Sequence, residues 1–131
     1  MIPTPDEIKV LLEKTLKKGA RAPQLNAKHQ MLRDLLCPVA ENEQRTDLER
    51  ARDAEALLRA VIVEVGEKRA QFLMTLLHLT PGPEKLTLRY ESAGQLMQVT
   101  GRTARTSTYK GAFLEDLALR LHSRLSAREA A

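Results

Sequence analysis

Apolar residues recur along this chain every three or four positions and nowhere alternate with polar ones, which predicts helices and no strands. In the first run, "PTPDEIKVLLEKTLKKG", Ile8, Leu11, Leu12 and Leu16 share one face. Thr4 suits a cap and Pro5 the first helical position, while Asp6 and Glu7 sit where the helix dipole favours acids. Lys14, Lys17 and Lys18 load the far end and Gly19 stops it, so the spacing predicts a helix over 5–18. "GARAPQLN" reads as a loop. Met31, Leu32, Leu35 and Leu36 then predict a shorter helix over 26–37, ended by Pro38.

Thr46 and Glu49 have capping-box spacing. Behind them Leu48, Ala51, Ala54, Leu58, Val61, Ile62 and Val65 form a long stripe, resumed after Gly66 by Ala70, Leu73, Met74 and Leu77. An interior glycine costs about 1 kcal/mol relative to alanine. The segment is therefore either one long kinked helix or two helices meeting near Gly66. "TPGP", Thr80 to Pro83, stops it. Thr87 is the expected cap of the next helix, with Leu88, Ala93, Leu96 and Met97 on its apolar side. Phe113, Leu114, Leu117, Leu121 and Leu125 line a final helix expected to fray after Ser126. The pattern predicts an all-α fold in one domain over 1–131. Residues 1–79 supply a supporting helical bundle with a long helix, and 84–126 a tri-helical unit.

Composition sharpens this picture in three places. Aromatic residues make up only 3% of the chain and tryptophan is absent, so the core must be aliphatic. The net charge is +4, which permits a nucleic-acid partner without demanding one. Residues 84–131 hold eight Lys and Arg against five acids, so most of the excess lies in the C-terminal third. Cys37 is the one cysteine and cannot form an internal disulfide; beside Leu35 and Leu36 it reads as a small buried hydrophobe. "MIPTPDEIKV" lacks the basic-then-apolar order of an export signal, and no apolar run approaches the roughly 20 residues a membrane span needs. A cytoplasmic protein without membrane contact is the expectation.

Catalytic chemistry has no visible foothold. His29, His78 and His122 fall in three different predicted helices, and none has a metal-ligating neighbour at suitable spacing. The six glycines form no phosphate-cradling loop. Neither an enzyme nor a cofactor is expected.

The stretch "LMQVTGRTART", Leu96 to Thr106, carries what a helix-turn-helix requires. Ala93 and Gly94 are small where two helices would cross. Met97 anchors the first helix, Val99 plugs the turn, Thr100 caps the second helix and Ala104 faces inward. Arg102, Arg105, Thr106 and Tyr109 are left to project elsewhere, with Lys110 and Arg89 extending a basic surface. A recognition helix over about 100–109 would use Arg102 and Arg105 on bases or phosphates, and Thr100 and Thr106 on phosphates. Lys14, Lys17, Lys18 and Arg21 form a second basic cluster. It reads either as charge favoured at a helix C-terminus or as a phosphate contact beside the recognition helix.

"VTGRTART" resembles the Val-Ser-x-x-Thr-φ-Arg-Arg run of bacterial helix-turn-helix regulators. Over about residues 79–122, "LTPGPEKLTLRYESAGQLMQVTGRTART" followed by "FLEDLALRL" resembles a module common in actinobacterial proteins. The turn carries Gln98 where such regulators usually place glycine. The resemblance implies a DNA-binding transcriptional regulator, expected as a homodimer that pairs its long stripe and first helix, with double-stranded DNA as partner. The alternative is an adaptor of the same shape that docks a protein.

Overall fold

The computed structural model describes residues 2–131, and every regular element among them is helical. The elements are α1 (Pro5–Lys14), α2 (Ala22–Lys28), α3 (Gln30–Leu36), α4 (Asp47–Val63), α5 (Glu67–Leu76), α6 (Leu86–Leu96), α7 (Gly101–Ala104), a π-helical turn (Ser107–Gly111) and α8 (Ala112–Ala130). The all-α expectation holds.

Local chemistry explains most boundaries. At α1 the Glu7 amide donates to Thr4 Oγ1 at 3.2 Å and the Thr4 amide to Glu7 Oε1 at 3.0 Å. Thr46 and Glu49 repeat this reciprocal pair at α4, at 3.1 Å each way. Both boxes satisfy amides that no helical carbonyl can reach. Gly66 has φ +108°, a conformation in which side-chain-bearing residues are strained, and it separates α4 from α5. The long stripe is thus two helices.

Several expectations are corrected. The first helix ends at Lys14, because the buried Thr15 turns its hydroxyl back onto the Leu12 carbonyl at 2.7 Å. The loop expected before residue 26 is largely α2, started by Pro23 in its first turn. His29, at φ −132° and ψ 50°, divides the expected 26–37 helix in two. Met31, Leu48 and Leu88 are exposed, so they lie off the core face assigned to them. Lys85, not Thr87, occupies the cap of α6. The C-terminus holds its helix to Ala130, since Arg128 donates to the carbonyls of Leu35 and Leu36 at 3.0 Å each.

One hydrophobic cluster runs through both parts of the chain. Leu12 of α1, Leu58 and Ile62 of α4, Leu73 of α5 and Leu114 and Leu121 of α8 are fully buried in it. Phe72 meets Phe113 edge-on at 5.0 Å between ring centroids. The stripe proposed for a dimer is therefore consumed by the chain's own core: α2 and α3 cover α4, while α1 lies on α8. Among the described residues no helix is long and apolar enough to cross a membrane.

Candidate nucleic-acid interface

The turn after α6 is built by two backbone bonds. The Val99 amide donates to the Gly94 carbonyl at 2.9 Å, and the Gln98 amide to the Gln95 carbonyl at 3.1 Å. These are the paired bonds of a Schellman motif, which places its C′ residue in the left-handed region. That residue is Gln98, at φ +59°. The position that usually carries glycine thus keeps its backbone conformation with a side chain on it, at a cost of roughly 1–2 kcal/mol. Gln98→Gly should raise stability by up to about 1 kcal/mol, the gain being trimmed by the freer unfolded chain. A urea midpoint that falls instead would show that the Gln98 side chain contributes more than its backbone strain costs.

Small residues let the elements meet. A Cβ on Gly94 would stand 2.6 Å from the Val99 carbonyl oxygen and 2.9 Å from that of Thr100. One on Gly101 would stand 3.0 Å from Glu91 Cγ. Thr100 caps α7 by accepting from the Thr103 amide at 3.1 Å, and Ala104 is fully buried. The roles read from Gly94, Thr100 and Ala104 are all taken up.

The second helix is much shorter than the 100–109 expectation. It stops at Ala104. Thr106 donates its hydroxyl to the Thr103 carbonyl at 2.7 Å and adopts an extended backbone, with ψ 167°. Hydroxyl side chains that bond nearby carbonyls compete with the helix, and the Thr-Ser-Thr run offers three in succession. Ser107–Gly111 then forms the π-helical turn leading into α8.

Three of the seven expected interface residues are engaged elsewhere. Arg89 is 1% exposed. Its guanidinium donates to the carbonyls of Leu76 at 2.5 Å, Leu16 at 2.7 Å, Lys17 at 3.0 Å and Glu84 at 3.2 Å. Burial lowers its pKa, yet arginine stays charged. It staples α1, α5 and the start of α6, and offers nothing to a partner. Tyr109 is half-buried with its ring edge-on to Phe113 at 5.9 Å. Lys110 pairs with Glu13 of α1 at 3.4 Å.

Arg102, Arg105, Thr100 and Thr106 remain exposed. Arg102 makes no ion pair among the described residues, and Arg105 stacks over the Tyr90 ring at 4.8 Å from its centroid. Such stacking is worth about 0.5–2 kcal/mol and holds the guanidinium ready. Burial pushes the Tyr90 phenol pKa up, partly offset by Arg105. Both arginines line a groove of about 350 Å³ with Thr87, Glu91 and Thr100. Glu91, an acid, lines the groove beside them.

Among the described residues no group of three or more His, Cys, Asp or Glu side chains could hold a metal ion. Comparison with known proteins finds no matching family model, no similar curated protein and no similar solved structure.

Proposed function

We propose that this protein binds double-stranded DNA through the Arg102–Arg105 face, as transcriptional regulators built on a helix-turn-helix do. The observation that carries this reading is the left-handed turn at Gln98, closed on Gly94, which delivers two arginines to solvent without carboxylate partners. The four-residue α7 shapes the mode of contact. One helical turn is too short to lie along a major groove, so most contacts fall on phosphates and only the two arginines reach toward bases.

A second reading has a specific observation in its favour. Glu91 shares the groove with the arginines, and a mixed-charge surface suits a charged peptide segment of a protein partner. Glu91→Gln separates the two. It removes a like-charge repulsion from DNA, so duplex affinity should rise about two- to fivefold, whereas a protein partner that pairs with Glu91 would bind more weakly. Fluorescence anisotropy with labelled duplexes reads this directly. In the same assay Arg102→Ala with Arg105→Ala should weaken binding at least about tenfold and relax sequence preference, a bidentate arginine–guanine contact being worth about 1–3 kcal/mol. Absence of any salt-dependent binding by the unaltered protein would end the DNA reading.

A further inference from the structure

A second hollow, about 590 Å³, opens beside the arginine groove and shares Thr87 with it. Lys17 and Lys18, from the turn after α1, form one wall, and Glu84, Lys85 and Leu86 at the start of α6 form the other. The three lysines are exposed and have no ion-pair partner among the described residues. Among the described residues other exposed cations such as Lys28, Arg52 and Lys68 are unpaired too, and what sets these three apart is that they share one hollow. Across the two hollows, five cations face two acids, Glu84 and Glu91.

The walls are held in register from behind. Arg89 donates to the Lys17 carbonyl on one side and to the Glu84 carbonyl on the other. The backbone on either side of the lysine hollow is therefore tied together, with a buried cation at its back. Lys85 and Glu91 are about 9 Å apart along α6 at 1.5 Å per residue. A duplex with its axis along α6 would present two to three phosphates of one strand over that distance, at one per about 3.4 Å.

We propose that the Lys17–Lys18–Lys85 hollow is a second phosphate-backbone contact, taking up the same duplex where it leaves the arginine groove. This rests on DNA being the ligand of that groove. The lysines supply sequence-independent affinity, and the arginines supply whatever preference there is.

The test compares the full chain with the Lys17→Gln, Lys18→Gln, Lys85→Gln triple variant on a labelled duplex of arbitrary sequence, across a salt series. Each lost phosphate contact lowers the slope of log affinity against log salt by about 0.9. The triple variant should therefore lose about two to three units of slope and at least about tenfold in affinity, with an unchanged circular dichroism spectrum. A control triple elsewhere on the surface (Lys28→Gln, Arg52→Gln, Lys68→Gln) makes the same change in net charge and should leave the slope near that of the unaltered protein. If the unaltered protein binds duplex and the lysine triple matches it, or if the control loses as much slope, the second contact is refuted and the arginine groove stands. If the unaltered protein binds no duplex, both fall together.

Discussion

Arg89→Met should destabilise the protein by about 3–5 kcal/mol, although it swaps one long side chain for another of similar reach. The reason lies in what is left behind. Four backbone carbonyls accept from this one guanidinium, and they belong to the turn after α1, the end of α5 and the residue before the cap of α6. The Leu16, Lys17 and Leu76 carbonyls follow or end helices, where carbonyls lack intrahelical donors and carry the negative end of the dipole, so a cation there is doubly favoured; the Glu84 carbonyl, ahead of α6, gains the hydrogen bond alone. Methionine fills the space and satisfies none of them. A buried acceptor left unpaired costs about 1–3 kcal/mol, and water entering the site would recover part of that loss. For a chain of this length the melting temperature should drop by roughly 10–20 °C. Arg89→Lys should recover only a fraction, because a compact ammonium cannot span carbonyls of three separate segments. Exposed Arg102→Ala is the control and should stay within about 0.5 kcal/mol. A urea midpoint for Arg89→Met close to that of the unaltered protein would mean that the staple is dispensable.

Arg89 also shows where reading the chain one residue at a time reaches its limit. An arginine in a polar-looking helix is assigned to the surface because arginines are rarely buried. Yet Leu86, Arg89, Tyr90, Ala93 and Met97 follow one helical face, and four of these five pack into or against the core. The phase of that stripe places position 89 inside and Leu88 outside. Choosing Leu88 as the apolar anchor set the phase one position off and turned a structural cation into a ligand contact. Tyr109 had a comparable signal in its four-residue spacing to Phe113, which its ring meets edge-on. Lys110 had none, because its partner Glu13 lies 97 residues away.

What could be read in advance was local. The Thr4 cap, the Thr46–Glu49 capping box, the interruption at Gly66 and the Gly94–Thr100–Ala104 set depend on residues within one or two turns of each other. The length of α7 depends on local chemistry too, but on a competition: Thr106 either continues the helix or bonds back to Thr103. Ala104 is buried and nothing apolar follows it until Tyr109, so the helix has no further core contact to prolong it. The stretch expected to form one basic helix is divided for this reason. Arg102 and Arg105 sit on the one turn that forms, whereas Tyr109 and Lys110 belong to the next element.

Gly94→Ala is the sharpest test of the turn, because two physical effects predict opposite signs. Helix propensity alone favours alanine over glycine by about 1 kcal/mol. Sterics oppose it: the new Cβ would stand 2.6 Å from one backbone oxygen and 2.9 Å from the next. Neither oxygen belongs to a side chain that could rotate away. Relief requires moving α6 off the turn, which breaks the 2.9 Å bond from the Val99 amide to the Gly94 carbonyl and lifts Ala104 from its fully buried seat. Overpacking of this kind costs about 1–3 kcal/mol, and the lost turn bond adds about 1 kcal/mol. Sterics should win, for a net loss of about 1–3 kcal/mol. Gly82→Ala, where nothing lies within 4 Å, should be near neutral. The functional consequence should outrun the stability loss. At a temperature where Gly94→Ala is still folded by circular dichroism, Arg102 and Arg105 would be carried away from Tyr90 and Glu91, and duplex affinity should fall as far as in the double arginine variant. A Gly94→Ala protein that is more stable than its parent and binds as tightly would show that the close crossing is not what positions the arginines.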